Sequence, residues 1–369
     1  MAKVVHILWG VTFGGIETML VNIANAQAAE GAEVSVIIIN DLYDESLMRL
    51  FMNKINLISL HRKQRSRSLG FIIKLNWMLC RINPDTIHLH GSRIYGMIFS
   101  RRLSREACMT LHDLPTGSVR REGFFSRIFP ILSIMDKTGN VTFIDKVPQV
   151  FAISEAVKKA LWESYGVSSV VVCNGICTKN FAKREPVPCS SPLRIVQVSR
   201  LEHGKKGQDM LIQAISQLNG MAEVYFIGEG SSLEYLKKLA NEVGAENYVH
   251  FLGKQTQDYI ANHLHDYDLF VQPSRYEGFG LTVAEAMAAQ VPVLVSTGQG
   301  PAEVTCGDKY GWQFENGNVD DLVRLITYIR EHFFDALTKA RKARRYVTDT
   351  YDVSVTAKKY LEEYERFKM

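Results

Sequence analysis

The sequence predicts an α/β protein with two doubly wound parallel sheets, and three observations carry that expectation. Apolar, β-branched runs alternate with amphipathic helical runs along both halves of the 369 residues. A stretch holding Pro186, Pro188 and Pro192, without periodicity, interrupts the alternation. The length suits two domains, each able to bury a core. We therefore expect a first domain over 1–175, a linker over 176–189 and a second domain over 190–350. The last helical run, from about Val353 to Phe367, has apolar positions at Val353, Ala357, Tyr360, Leu361 and Tyr364. It lies too far past the second sheet to be needed there, so 353–369 is expected to rejoin the first domain.

In the first half, Val4–Trp9 is the opening strand, and Gly14-Gly15 leads into an amphipathic helix from Ile16 to about Glu30. Gly31 stops that helix, and Glu33–Ile39 is the next strand. Further short, buried strands are predicted at Thr86–Leu89, Ala107–Leu111 and Gln149–Ile153. In the second half, strands at Arg194–Ser199, Glu223–Ile227, Tyr248–Leu252, Asp268–Gln272 and Val291–Val295 alternate with helices. Folds of this kind bind ligands at the carboxyl ends of their strands. Two of them facing across a cleft would place the ligand between them.

Composition excludes several classes. The chain is 46% hydrophobic and 22% charged, an ordinary globular balance, and no apolar run approaches the ~20 residues that span a bilayer. The first nine residues read as a strand rather than a signal peptide. Six cysteines lack metal-site spacing and are expected to be structural thiols in a reducing cytoplasm. The net charge of +4 conceals an asymmetry, because residues 49–127 hold 15 Lys/Arg against 4 Asp/Glu. The segments 61–78 and 119–129 interleave those cations with aromatic and aliphatic residues, a composition suited to an anionic membrane surface. No nucleic-acid partner is expected.

The densest chemistry lies in Ser274-Arg-Tyr-Glu-Gly-Phe-Gly-Leu-Thr-Val-Ala-Glu285. Glu277, Gly278 and Gly280 follow a buried strand, and Glu285 falls about one turn into the next helix. A helix N-terminus leaves unpaired N–H groups and a partial positive charge, which suits a diphosphate. Arg200 and Lys206 follow the strand Arg194–Ser199 and precede a helix, so they sit at a strand's carboxyl end as well. Two cations and a helix start can neutralise a diphosphate leaving group. Gly228 closes another strand, where a flat base can approach bare backbone. His112 ends the strand Ala107–Leu111, and His88 and His90 alternate along another. Two same-side histidines without an evident third ligand do not make a metal site, and no metal is expected. Gly14-Gly15 lacks the full G-x-G-x-x-G spacing, which argues against a nicotinamide enzyme.

Those residues closely resemble the family 4 glycosyltransferases of the GT-B fold, most strongly from Arg194 to Val304, where D-L-F-V-Q-P-S precedes E-G-F-G-L-T-V-A-E. The resemblance implies two Rossmann-like domains and sugar transfer from a nucleotide donor with retention of configuration. It implies that Glu285 holds the ribose hydroxyls and Glu277 faces the donor sugar at the reaction centre. Phe279, Gly280, Leu281 and Thr282 would present backbone groups to sugar and phosphate, and Arg200 and Lys206 would hold the phosphates. In the first domain it implies that Gly15, with Gly14, lies near donor and acceptor and that His112 contacts the donor sugar. His90, Ser154, Asn174, Gly228 and Lys254 are further candidate contacts. Two departures stand out. Many members carry Asp where this chain has Cys177, and the phosphate loop is one residue longer than the common form, which favours Lys206 over Lys205.

The function this implies is a retaining hexosyltransferase. It would move a hexose or N-acetylhexosamine from a UDP-sugar, or next GDP-mannose, to a glycan or lipid-linked acceptor of surface polysaccharide or lipopolysaccharide. No cofactor is expected. A cytoplasmic enzyme, peripheral on the inner face of the membrane through its basic segments, fits that role. The competing readings are a sugar-nucleotide 2-epimerase of the same architecture and a non-catalytic nucleotide-sugar binder.

Overall fold

Short runs of Val, Ile, Leu and Phe, buried on both faces, form parallel strands in two separate sheets. The computed structural model describes residues 1–12, 15–64, 66, 68–114 and 143–368. It divides into two units, Met1–Gly175 with Val353–Met369, and Ile176–Asp352.

The first unit holds β1 (Lys3–Leu8), β2 (Glu33–Asn40), β3 (Asn56–Arg62), β4 (Thr86–Leu89), β5 (Ala107–Leu111), β6 (Gln149–Ala152) and β7 (Val170–Val171). Their order in the sheet is β3-β2-β1-β4-β5-β6-β7, and all pairs are parallel. β3 was not predicted, because Asn56-Leu-Ile-Ser-Leu-His-Arg62 is the half-polar sequence of a sheet edge. The last strand of this sheet is only two residues long, Val170–Val171. The opening helix (Gly15–Ala29) buries Leu20, Ile23, Ala24 and Gln27. The C-terminal helix (Val353–Lys368) packs against it and buries Ala357, Tyr360 and Tyr364. The last helix thus belongs to the first unit.

The second unit holds β8 (Leu193–Val198), β9 (Ala222–Ile227), β10 (Val249–Gly253), β11 (Leu269–Gln272), β12 (Val293–Ser296) and β13 (Trp312–Phe314), ordered β10-β9-β8-β11-β12-β13. The chain direction across the sheet reverses between β8 and β11, the switch point at which such sheets open a crevice.

The expected linker 176–189 is a correction, since this segment is part of the second unit. The Ala182 N–H donates to the Ala261 carbonyl at 3.0 Å and Arg184 N–H to the Ala289 carbonyl at 2.9 Å. The Arg184 guanidinium, itself buried, meets Asp268 at 2.5 Å and donates to the carbonyls of His265 and Tyr267. A buried charge persists only when paired and hydrogen-bonded, so this contact fixes the segment. The prolines signalled irregular backbone correctly; they said nothing about whether it was docked.

Two glycines close the switch point. A Cβ on Gly207 (φ 68°) would lie 1.9 Å from the Pro273 carbonyl oxygen, and one on Gly228 (φ 144°) 2.0 Å from that of Ser199. The loops after β8, β9 and β11 therefore meet backbone to backbone. Gly207→Ala should destabilise the second unit by more than about 3 kcal/mol in chemical denaturation, through overpacking and a strained φ. Gly204→Ala, three residues earlier with open space around it, should change stability by less than about 0.5 kcal/mol. Equal effects would sink the close-packing account.

Candidate functional site

At the switch point of the second unit, a helical turn (His203–Lys206) after β8 ends at left-handed Gly207, which puts the Lys206 side chain over the loop after β11. Its Nζ pairs with Glu277 Oε2, both side chains about one-fifth exposed at 21% and 19%. Glu277 is held by its backbone too. Its N–H donates to Gln299 Oε1 at 3.1 Å, and its carbonyl accepts from Gly300 N–H at 3.0 Å. Gln197 Nε2 donates to the Lys206 carbonyl at 2.9 Å. Arg275 clamps the two loops together, with two bonds of 2.8 Å to Asp209 and one of 2.7 Å to the His203 carbonyl. Lys206 and Glu277, predicted as separate contacts, are thus each other's partners. Gln299, Gln197 and the Arg275–Asp209 pair were missed. No local motif marks them, because they act across loops.

Gly280 (φ 101°) caps the motif helix (Leu281–Ala288) with no side-chain capping bond. Leu281 and Thr282 occupy its first turn, half-buried. The Phe279 ring is buried edge-on against Tyr351, 5.4 Å between centroids, so its side chain serves packing. One turn in, Glu285 is 8% exposed and accepts a 2.8 Å bond from Gln257 Nε2. Burial outweighs that single bond and pushes its carboxyl up to about 7. A buried carboxylate with one neutral donor is short of hydrogen-bond partners, and two hydroxyls would supply them. Arg200 is brought to none of these groups; its guanidinium meets Glu202 at 3.0 Å and its side chain is 69% exposed. Gly228 ends β9 against the loop after β8, and Lys254 is exposed after β10.

In the first unit the predicted residues fall into a different setting. His6 on β1, His88 on β4, and His90 and His112 just past the ends of β4 and β5 form one stack. His90 Nδ1 lies 3.0 Å from His112 Nε2, and His90 Nε2 lies 3.1 Å from His6 Nδ1. Burial pushes His6 and His112 down to about 4, and it lowers His88 and His90 well below the usual range, reinforced by neighbouring imidazoles. His6, which the sequence reading passed over, adds a third ring whose nitrogen lies within 4.8 Å of those of His88 and His90. The rings are stacked, however, His88 on His90 at 4.7 Å and 8°. His6 is tilted by 31° and 26° to these two rings, and one nitrogen each of His6 and His90 is taken up by their mutual hydrogen bond.

Ser154 caps the helix Glu155–Tyr165 by accepting from Val157 N–H at 3.1 Å, a structural use of its side chain. Asn174 is buried and its Oδ1 has no partner among the described residues. Gly15 is exposed at the start of the opening helix, and Gly14 lies outside the described residues. So do Arg65, Arg67 and the whole basic segment 119–129. Within 61–78, the helix Gly70–Ile82 buries Phe71, Ile72, Leu75 and Leu79, while Ile73 and Trp77 are exposed at 70% and 57%. Among the described residues, no helix is long and apolar enough to cross a membrane.

Two family models match, one described as Glycosyltransferase Family 4 over residues 13–180 and one as Glycosyl transferases group 1 over residues 179–345. A GDP-mannose-dependent alpha-(1-6)-phosphatidylinositol monomannoside mannosyltransferase of Mycobacterium tuberculosis is 30% identical over 164 residues, 42% of each chain. A poly(ribitol-phosphate) alpha-N-acetylglucosaminyltransferase of Staphylococcus aureus is 25% identical over 223 residues, 59% of this chain and 44% of its own. The chain thus spans less than half the length of these curated relatives. Among solved structures, Anabaena HepE with UDP and glucose bound superposes with a TM-score of 0.78 at 19% identity, covering 99% of this chain and 100% of that one. Sucrose-phosphate synthase of Thermosynechococcus elongatus gives 0.76 at 17%, covering 99% of both. At that identity the likeness is one of fold, and the fold is GT-B.

The buried Glu285 carboxyl makes stability depend on pH. Its folded value, about 7, lies above the ordinary carboxylate value, so the group costs nothing below about pH 4.5 and the full penalty appears as pH rises past 7. Glu285→Gln should therefore stabilise the protein at pH 8 by up to about 3 kcal/mol, with the gain shrinking steadily toward pH 5. Urea denaturation of both proteins at the two pH values measures this, and a pH-independent difference would contradict it.

Proposed function

Because this chain belongs to the family 4, group 1 glycosyltransferases, we propose that it transfers a hexose or N-acetylhexosamine from a nucleotide sugar, with retention of configuration. A UDP-sugar is the first candidate donor and GDP-mannose the next. The acceptor is a glycan or lipid-linked saccharide of a surface polysaccharide or lipopolysaccharide. The observation that carries this reading is the grouping of Lys206, Glu277, the Gly280 helix start and the partner-poor Glu285 at one switch point. The sugar classes handled by the mannosyl- and N-acetylglucosaminyltransferase relatives support it, as do the UDP and glucose bound to HepE.

Each group has a role in that chemistry. As the bond from the anomeric carbon to the diphosphate breaks, negative charge grows on the leaving group and positive charge on the sugar. Lys206, with the N–H groups at the Gly280 helix start, neutralises the diphosphate; the exposed Arg200 can turn toward it. A diphosphate taking Lys206 frees Glu277, whose carboxylate then faces the oxocarbenium-like sugar. Glu285 accepts the two ribose hydroxyls, which favour its ionised form. In the first unit, His112 and Gly15 are the positions we assign to sugar or acceptor. No step in this scheme requires a metal. The relatives named above are transferases and synthases, and the epimerase reading draws nothing from them.

A thermal-shift screen of UDP-, GDP- and ADP-sugars should single out one nucleotide. Glu277→Ala and Lys206→Ala should each lower kcat by about 10²-fold or more, while Glu285→Gln should chiefly weaken nucleotide binding. Unchanged transfer by Glu277→Ala would remove the catalytic assignment. We also place the enzyme at the inner face of the cytoplasmic membrane through segments 61–78 and 119–129. Co-sedimentation with anionic liposomes should then be strong at low salt and fall as salt rises; failure to sediment at low salt would end that proposal.

A further inference from the structure

The histidine stack of the first unit is one part of a longer hydrogen-bonded chain whose direction follows from a single amide. Gln27, fully buried on the opening helix, places Oε1 2.8 Å from His6 Nε2 and Nε2 3.3 Å from the Tyr364 hydroxyl. An amide oxygen only accepts, so His6 carries its proton on Nε2. The ring is neutral, since burial holds it far below its ordinary value, and a neutral imidazole has one donor and one acceptor. His6 Nδ1 is therefore a lone pair, and it accepts from His90 Nε2 at 3.1 Å. The same step repeats, for His90 Nδ1 must accept from His112 Nε2 at 3.0 Å. His112 is left with an unprotonated Nδ1, which is buried and has no partner among the described residues.

The other arm agrees in direction. Gln27 Nε2 donates to Tyr364, whose hydroxyl donates to His88 Nδ1 at 2.5 Å. His88 Nε2 then donates to Thr110 Oγ1 at 2.8 Å, and Thr110 to the Tyr360 hydroxyl at 2.8 Å. All donors point one way, an arrangement in which each bond polarises the next. Reversing the amide would reverse every member and turn His112 Nδ1 into a donor.

We propose that Gln27 is a positioning residue that fixes the tautomer of His112 through His6 and His90, so that His112 offers a bare Nδ1 lone pair to a substrate hydroxyl. Only the last clause rests on the reading of His112 as a substrate contact; the tautomer assignment stands apart from it. A sugar position presenting an O–H is then accepted, and one presenting a methyl ether or a deoxy carbon leaves a buried acceptor unpaired.

Long-range ¹H–¹⁵N correlation spectra of the full chain labelled with ¹⁵N-histidine test this, with His112→Asn used for assignment. In the native protein His112 should show a protonated Nε2 and an unprotonated Nδ1. In Gln27→Met the acceptor is gone, and His112 should distribute over both tautomers, its two ¹⁵N shifts moving toward each other. His6→Phe keeps an aromatic ring in the stack but severs the chain, and should give the same result, which decides the matter if the Gln27 variant does not fold. A protonated Nδ1 on native His112, or a native pattern at His112 in the folded variants, would overturn the proposal. Turnover of UDP-glucose, or of whichever donor the thermal-shift screen ranks first, separates the two readings. An intact native pattern with His112→Ala fully active removes the substrate contact and keeps the relay. A native His112 already mixed between tautomers, with His112→Ala inactive, removes the relay and keeps the contact.

Discussion

Backbone-to-backbone contact at the carboxyl ends of β8, β9 and β11 is the constraint on which the second unit's site depends. Parallel strands direct every loop at one end of a sheet into the same small area, and side chains there would hold the loops apart. Gly207 against Pro273 and Gly228 against Ser199 remove that separation. Once the loops touch, the side chains next to the glycines have few directions left. Lys206, one residue before Gly207, meets Glu277 for this reason. The Arg275–Asp209 fork then fixes the two loops at a single spacing.

Three carboxylates of this unit show how environment divides their roles. Asp268 is fully buried, but Arg184 and the N–H groups of Ser190 and Arg194 satisfy it, and it serves as an anchor. Glu277 has a cation partner and partial exposure, so that a ligand can exchange with the pair. Glu285 has one neutral amide donor and, among the described residues, no cation partner, and burial pushes its carboxyl up. Losing a partner from Asp268 would cost about 3–5 kcal/mol, whereas adding partners to Glu285 would recover energy. A ligand offering hydroxyls gains most at the position where the fold is least satisfied.

Much of this was legible in the chain, and most of what was not lies in contacts between residues far apart in sequence. Strands Thr86–Leu89 and Ala107–Leu111 were placed to the residue because short apolar runs flanked by polar turns have only one reading. The motif helix, its start at the glycines and the position of Glu285 one turn in follow from spacing along one segment. By contrast, Gln27 reaches Tyr364 across 337 positions and His88 reaches the same hydroxyl across 276. Arg184 finds Asp268 across 84. No local periodicity encodes such pairs. A weaker signal was present in His6, a lone polar residue inside a buried strand, which must find a partner wherever the fold provides one. Even β3 was hidden only by its edge position, where half the side chains are free to be polar.

The histidine stack also keeps the polar interior of the first unit free of charge. Neighbouring ring centroids lie 4.7 to 5.4 Å apart. Two protonated rings at about 5 Å would repel by roughly 3 kcal/mol even at an effective dielectric of 20, and burial opposes the first proton already. The rings therefore hold one another neutral, and the selection proposed for His112 would rest on the direction of a hydrogen bond rather than on attraction between ions. That suits a sugar, which carries many hydroxyls and no charge. The diphosphate of a nucleotide sugar is the reverse case, and the cation beside Gly207 is the group proposed to meet it. On the proposed roles, charge is kept for the leaving group, and a fixed tautomer for the part that is moved.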